Sequence, residues 1–85
     1  MTYRIEFRPA AMRDLAKLET STSRRIAATL ESLGTNPRPP GVEKLKGHEH
    51  RYRVRCGDYR IIYAIEDRVL IILVLRIGHR RQVYR

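Results

Sequence analysis

Arginines crowd two short stretches of this chain, at a spacing suited to holding phosphate. In Arg51-Tyr52-Arg53-Val54-Arg55-Cys56-Gly57-Asp58-Tyr59-Arg60, guanidinium side chains alternate with apolar or aromatic ones. The pattern then crosses a Gly-Asp turn to one more aromatic and one more arginine. A second cluster, His79-Arg80-Arg81-Gln82-Val83-Tyr84-Arg85, closes the sequence. Successive side chains of a strand point to opposite faces, so Arg51, Arg53 and Arg55 are expected on one face and Tyr52, Val54 and Cys56 on the other. Like charges in a row are costly unless an anion meets them, and the planar guanidinium fork matches phosphate.

The chemistry such a surface could do is the cleavage of RNA. The ribose 2′-OH must lose a proton and attack the neighbouring phosphorus, and the 5′-oxygen must leave with a proton. Fixed guanidinium groups stabilise the charge that builds on the phosphorane. Surrounding cations also lower the pKa of a tyrosine by favouring phenolate, which fits it for proton transfer. Arg53, Arg55, Arg60, Arg80 and Tyr84 are therefore expected to converge on one concave basic site. Two plainer readings stand beside this one. A charge-rich strand face is often simply solvated, and phosphate contacts can bind nucleic acid without any chemistry.

Composition narrows the classes. The 85 residues carry a net charge of +9, and residues 51–85 hold nine arginines against three carboxylates. That field attracts polyanions or an acidic protein partner. One cysteine excludes an internal disulfide and offers no metal cluster, so Cys56 is read as a small core residue. His48 and His50 flank Glu49 in a loop, a weak metal signal, and His79 has no second ligand at a regular spacing, so no metal or cofactor is expected. The apolar run from Val69 to Leu75 is too short to span a bilayer. The start of the chain lacks the apolar segment of a signal peptide, so a cytoplasmic setting without membrane attachment is expected.

The elements that must position these residues follow from periodicity. Thr2 to Arg8 alternates as a half-buried strand, with Tyr3, Ile5 and Phe7 inward. Pro9 opens a helix whose apolar positions are Ala11, Met12, Leu15 and Leu18. Thr20 to Ser23 offer capping hydroxyls for a second helix with Ile26, Ala27, Leu30 and Leu33 on one stripe, stopped by Gly34 and Asn36. The two form an antiparallel α-hairpin. A proline loop over residues 36–41 precedes a short edge strand at Val42–Leu45. Three strands follow, Arg51–Cys56, Tyr59–Glu66 and Val69–Ile77, joined by turns at Gly57-Asp58 and Asp67-Arg68. The predicted architecture is one α+β domain over residues 1–85: an N-terminal strand, the α-hairpin, and an antiparallel meander of three to four strands with the helices on one face. Its other face then carries the arginines.

These residues resemble the RelE/ParE superfamily of toxins from type II toxin–antitoxin systems, over nearly the whole chain. Lys44-Leu45-Lys46-Gly47 is similar to its K-L-x-G segment. Tyr52 to Tyr63 is similar to its aromatic-R-x-R-x-G-D-Y-R signature, and Ile77 to Tyr84 to its closing G-H-R-R-x-x-Y. The second motif is that of the RelE-like branch. The resemblance implies a RelE-like microbial ribonuclease fold and metal-independent cleavage of mRNA in the ribosomal A site. It also implies a cognate RelB-like antitoxin lying across the helices and the basic face. It implies catalytic roles for Arg60, Arg80 and Tyr84: Arg60 holding the scissile phosphate, Arg80 as general acid or phosphorane stabiliser, and Tyr84 acting on the 2′-OH. Phosphate or RNA contact is expected of Arg51, Arg53, Arg55, Arg81, His79, Lys44 and Lys46. Two departures stand out. Arginines replace the lysines that the best understood relative carries at positions 53 and 55. The sequence also closes at Arg85, where many relatives continue into a C-terminal helix. The alternatives are a ParE-like inhibitor of DNA gyrase and a non-catalytic RNA-binding module.

Overall fold

Alternation at the start of the chain gives a strand, β1 (Arg4–Phe7), and Pro9 at the first helical position turns it into α1 (Pro9–Ala16). The structure, a computed structural model, describes residues 2–79. α1 ends in a tight turn, and α2 (Thr20–Thr35) begins after three intervening residues. The strands β2 (Glu43–Lys44), β3 (Arg51–Cys56), β4 (Tyr59–Glu66) and β5 (Ile71–His79) follow. They form one five-stranded sheet in the order β1-β5-β4-β3-β2. β2 to β5 are antiparallel neighbours, as the turns predict, while β1 lies parallel to β5 because two helices separate them in the chain. The last strand is therefore interior, with a neighbour on each side, which accounts for its nearly unbroken apolar run.

One face of the sheet takes the helices. Ala11 of α1 and Ile26, Leu30 and Leu33 of α2 bury against Tyr52, Ile61, Tyr63, Ile65, Ile72, Val74 and Ile77. Each of these large side chains contributes about 1.5–3 kcal/mol by leaving water. Tyr3, Ile5, Phe7, Val54, Cys56 and Tyr59 pack around that core. No helix among the described residues is long and apolar enough to cross a membrane.

Four local expectations are corrected. Met12 is 51% exposed, because the short α1 turns Ala11 and Leu15 inward and leaves the neighbouring position in solvent; Ala27 is exposed likewise. The capping hydroxyls lie inside the first turn of α2, since Glu19 takes the extended N-cap position; Ser23 Oγ instead donates to the Thr20 carbonyl at 3.1 Å. Gly34 does not stop α2 but is buried within it. Its carbonyl accepts the Tyr3 amide at 2.8 Å, and a Cβ there would lie 3.1 Å from the Tyr3 carbonyl oxygen. The final strand begins at Ile71, not Val69. Asp67–Leu70 form the turn, Leu70 adopts φ 56°, and Val69 is 62% exposed.

Asp67 of that turn belongs to a polar clamp at one end of the sheet. Arg38, in the proline loop, pairs with Asp67 (Nη2–Oδ2 2.9 Å), donates from Nε to the Tyr52 hydroxyl at 3.3 Å, and sits 5.3 Å from the Tyr52 ring centroid. The Tyr3 hydroxyl donates to Asp67 at 2.6 Å, and the buried Tyr63 donates to the Pro37 carbonyl at 2.7 Å. Hydrogen bonds from Arg38 and Tyr3 hold the Asp67 carboxyl below its usual pKa. Burial pushes the Tyr63 phenol up.

Candidate functional site

The register of β3 against β4 arranges the uncovered face in rows. Arg55 lies directly opposite Arg60, Arg53 opposite Ile62, and Arg51 opposite Ala64. The same rows continue onto β5 as Gly78, Arg76 and Leu73. The alternation read from the sequence is therefore observed: Tyr52, Val54 and Cys56 face the helices and the arginines face away.

A bulge completes the arrangement. Ile62 pairs with Arg76 but Tyr63 pairs with Val74, so Leu75 is an extra residue in β5. The extra residue shifts the phase of the last strand. Ile77 turns into the core, while Arg76 and Gly78 come to the arginine face. Gly78 leaves the position across from Arg60 without a side chain.

The pair Arg55–Arg60 is the electrostatic centre. Like charges directly opposite in a sheet are destabilising, and neither residue has an ion pair within 4 Å among the described residues. Arg60 is half-buried, and its Nε is buried without a hydrogen-bond partner among the described residues. A donor in that condition costs about 1–3 kcal/mol. An oxyanion held between the two guanidinium groups would answer both charges.

Arg53 behaves differently. It donates from Nη2 and Nε to one oxygen of Glu43 on β2, at 2.6 and 3.2 Å. The hydrogen bond and charge of Arg53, with lesser contributions from Arg60 and Arg55, hold the Glu43 carboxyl below its ordinary pKa. One carboxylate thus lies within the field of all three arginines. The sequence reading missed Glu43, since a two-residue strand ten positions upstream of Arg53 leaves no periodic signal.

The tip of the hairpin adds one cation that was also missed. Gly57 has φ +62°, the left-handed value that a tight turn needs at its first central position. A Cβ there would sit 2.7 Å from Nη2 of Arg25, so glycine also makes room for this α2 side chain. Beside it, Thr29 Oγ1 donates to Cys56 Sγ at 3.2 Å.

The remaining predicted site residues divide. Lys44 pairs with Tyr52, so it faces the other way from Arg53, and Lys46 stands exposed in the loop before β3. His79 pairs with Tyr59 and lies edge-on to its ring at 5.5 Å, on the helix side of the strand end. Arg80, Arg81 and Tyr84 lie outside the described residues. Among the described residues, no three His, Cys, Asp or Glu side chains gather in a way that could hold a metal ion.

The strand that leads to them is fixed from α1. β1 pairs with β5 only as far as Val74, which leaves the next amides at an open edge. Asp14 accepts the Ile77 amide at 2.9 Å and is gripped by Arg76 through Nε (2.9 Å) and Nη2 (3.2 Å). Burial opposes the charge on Asp14, but these hydrogen bonds outweigh it and lower its pKa.

Two helices on one face of a mixed sheet, with an arginine pair lacking an ion pair among the described residues on the other, define a small α+β domain with a basic open face. Comparison places it further. The chain belongs to the family described as the ParE toxin of type II toxin–antitoxin systems, parDE, whose model matches residues 5–84. It is similar to the putative toxin RelE1 of Methanocaldococcus jannaschii, 32% identical over 100% of this chain and 98% of that protein. Toxin RelG of Mycobacterium tuberculosis is 33% identical over 100% and 99%. Among solved structures, a chain of the archaeal RelE–RelB complex from Pyrococcus horikoshii OT3 superposes with a TM-score of 0.83 at 31% identity, covering 98% of this chain and all of the other. The protein is thus a RelE-like toxin by sequence and by fold.

Proposed function

We propose that this toxin is a ribosome-dependent mRNA endonuclease that arrests translation, neutralised by a RelB-like antitoxin. The observation that carries the reading is the Arg55–Arg60 pair, two arginines directly opposite each other with no ion pair to either among the described residues. A merely solvated face gains nothing from two like charges set directly against each other. In the proposed reaction, Arg60 and Arg55 hold the scissile phosphate and Arg53 joins them by exchanging Glu43 for a phosphate oxygen. Tyr84 takes the proton of the 2′-OH as the 2′-oxygen bonds to phosphorus. The bond from phosphorus to the 5′-oxygen breaks, Arg80 supplies its proton, and a 2′,3′-cyclic phosphate and a 5′-OH remain. The roles of Arg80 and Tyr84 rest on the family motif at the end of the chain.

The antitoxin assignment draws support from similar chains found in RelE–RelB complexes. An acidic segment laid over the uncovered face would neutralise the same arginines. A second reading, a gyrase-directed toxin, is favoured by the ParE description of the family model. Expression of the toxin alone, with primer extension on translated mRNA, separates them. Cuts within codons that vanish with Arg60→Ala support the nuclease. Intact mRNA with induction of the DNA damage response supports the gyrase reading and removes the first.

A further inference from the structure

The uncovered face does not end at the arginine pair. Four residues further along β4, about 13 Å at roughly 3.3 Å per residue, lies a cleft of about 400 Å³. Ala64, Leu73 and Leu75 line it, together with His48 and His50 of the loop before β3. Arg51 and Arg8 contribute cationic rims. Ala64 and Leu73 are cross-strand partners on the open face, and Leu75 is the bulged residue of β5. The bulge that phases Arg76 and Gly78 thus supplies one of the residues lining the cleft.

Resting on the nuclease reading, we propose that this cleft is a subsite for a nucleobase of the same single strand whose phosphate lies at Arg55 and Arg60. The chemistry fits a base better than a second phosphate. Aliphatic side chains and imidazole rings offer flat apolar contact of the kind on which unstacked bases rest. Two carboxylates, Glu49 and Glu66, also line the cleft. They would repel an anion, yet they can accept hydrogen bonds from exocyclic amino groups. Arg51 and Arg8 stand where the backbone of that nucleotide would pass. The continuous basic row Arg55, Arg53, Arg51 along β3 joins the two sites, and an extended strand of a few nucleotides spans the distance.

The test uses the full chain and short single-stranded RNA oligonucleotides carrying one abasic nucleotide at each position in turn, read by fluorescence anisotropy. With the wild type, one abasic position, displaced from the nucleotide that needs Arg60, is expected to weaken binding by at least about fivefold. In Leu73→Ser, and independently in His50→Ala on the exposed loop, intact and abasic RNA should bind alike at that position. Equal losses at every position in the wild type overturn the subsite while leaving the arginine site standing. So does a positional loss that persists in both variants. Variants that keep the positional loss but escape neutralisation by co-expressed antitoxin assign the cleft to the antitoxin instead, and overturn the proposal. RNA binding that is indifferent to Arg60→Ala overturns the nuclease reading and the subsite together.

Discussion

Arg38 and Arg60 are the same residue type in opposite circumstances. Arg38 meets a carboxylate, a hydroxyl and an aromatic ring, and ties the proline loop to the end of the sheet. Arg60 lies opposite another arginine with its Nε sealed from water and unpartnered. The first arrangement is complete within the chain. The second has no acceptor among the described residues, and in the proposed reaction phosphate takes that role. Identity and exposure do not separate a structural arginine from a functional one; the inventory of acceptors around each does.

The largest expected effect breaks the comparison at Arg60. Arg60→Ala should lower mRNA cleavage on translating ribosomes by about 10²–10³-fold, the loss typical of removing one donor from an oxyanion site. Its thermal unfolding midpoint should stay level or rise, because one of two opposed charges is gone. Arg38→Ala should do the reverse, lowering the midpoint and leaving cleavage within about twofold. Parallel melting curves and primer-extension assays of the two variants decide this. A cleavage loss in Arg38→Ala equal to that in Arg60→Ala would erase the distinction.

A smaller effect concerns Asp14, which holds the last strand at Arg76 and Ile77. Its folded pKa is depressed, so its contribution is full above the ordinary carboxylate value near 4 and is lost as pH falls through the lower folded value. Asp14→Asn should cost about 1–2 kcal/mol at neutral pH, as expected for a charge-assisted hydrogen bond. It should also flatten the acid limb of the stability curve. Urea denaturation at pH 7 and between pH 2 and 4 measures both. An unchanged acid limb would place the pH sensitivity at Asp67 or Glu43 instead, the other carboxylates held low by arginine.

These contrasts also mark what could be read from the chain alone. The arginine face was legible because a period of two is a local property, and the residues from Arg51 to Arg60 carry both the alternation and its turn. The two-layer α+β plan was legible for the same reason. What escaped depends on distant partners. β1 joins β5 across more than sixty residues, and the bulge at Leu75 appears only when β5 is set against β4. Asp14 escaped because nothing near it in sequence announces an open strand edge. Glu43 escaped because β2 is two residues long.

Glu43 gives the smallest and sharpest test. Its carboxylate occupies Arg53 but leaves Arg55 and Arg60 unpaired, so it acts as a partial internal counter-anion. Glu43→Gln removes that charge while keeping the shape of the side chain, and Arg53 no longer has to exchange a carboxylate for phosphate. The variant should bind single-stranded RNA a few-fold more tightly at low salt. Its affinity should also fall more steeply with salt, by up to about one unit in log–log slope, because one more guanidinium engages phosphate and one more counterion is released. Anisotropy titrations across salt concentrations measure the slope directly. A wild-type slope with unchanged affinity would show that phosphate never displaces Glu43. The anion site would then consist of Arg55 and Arg60 alone, with Arg53 grouped beside Arg38 as a structural residue.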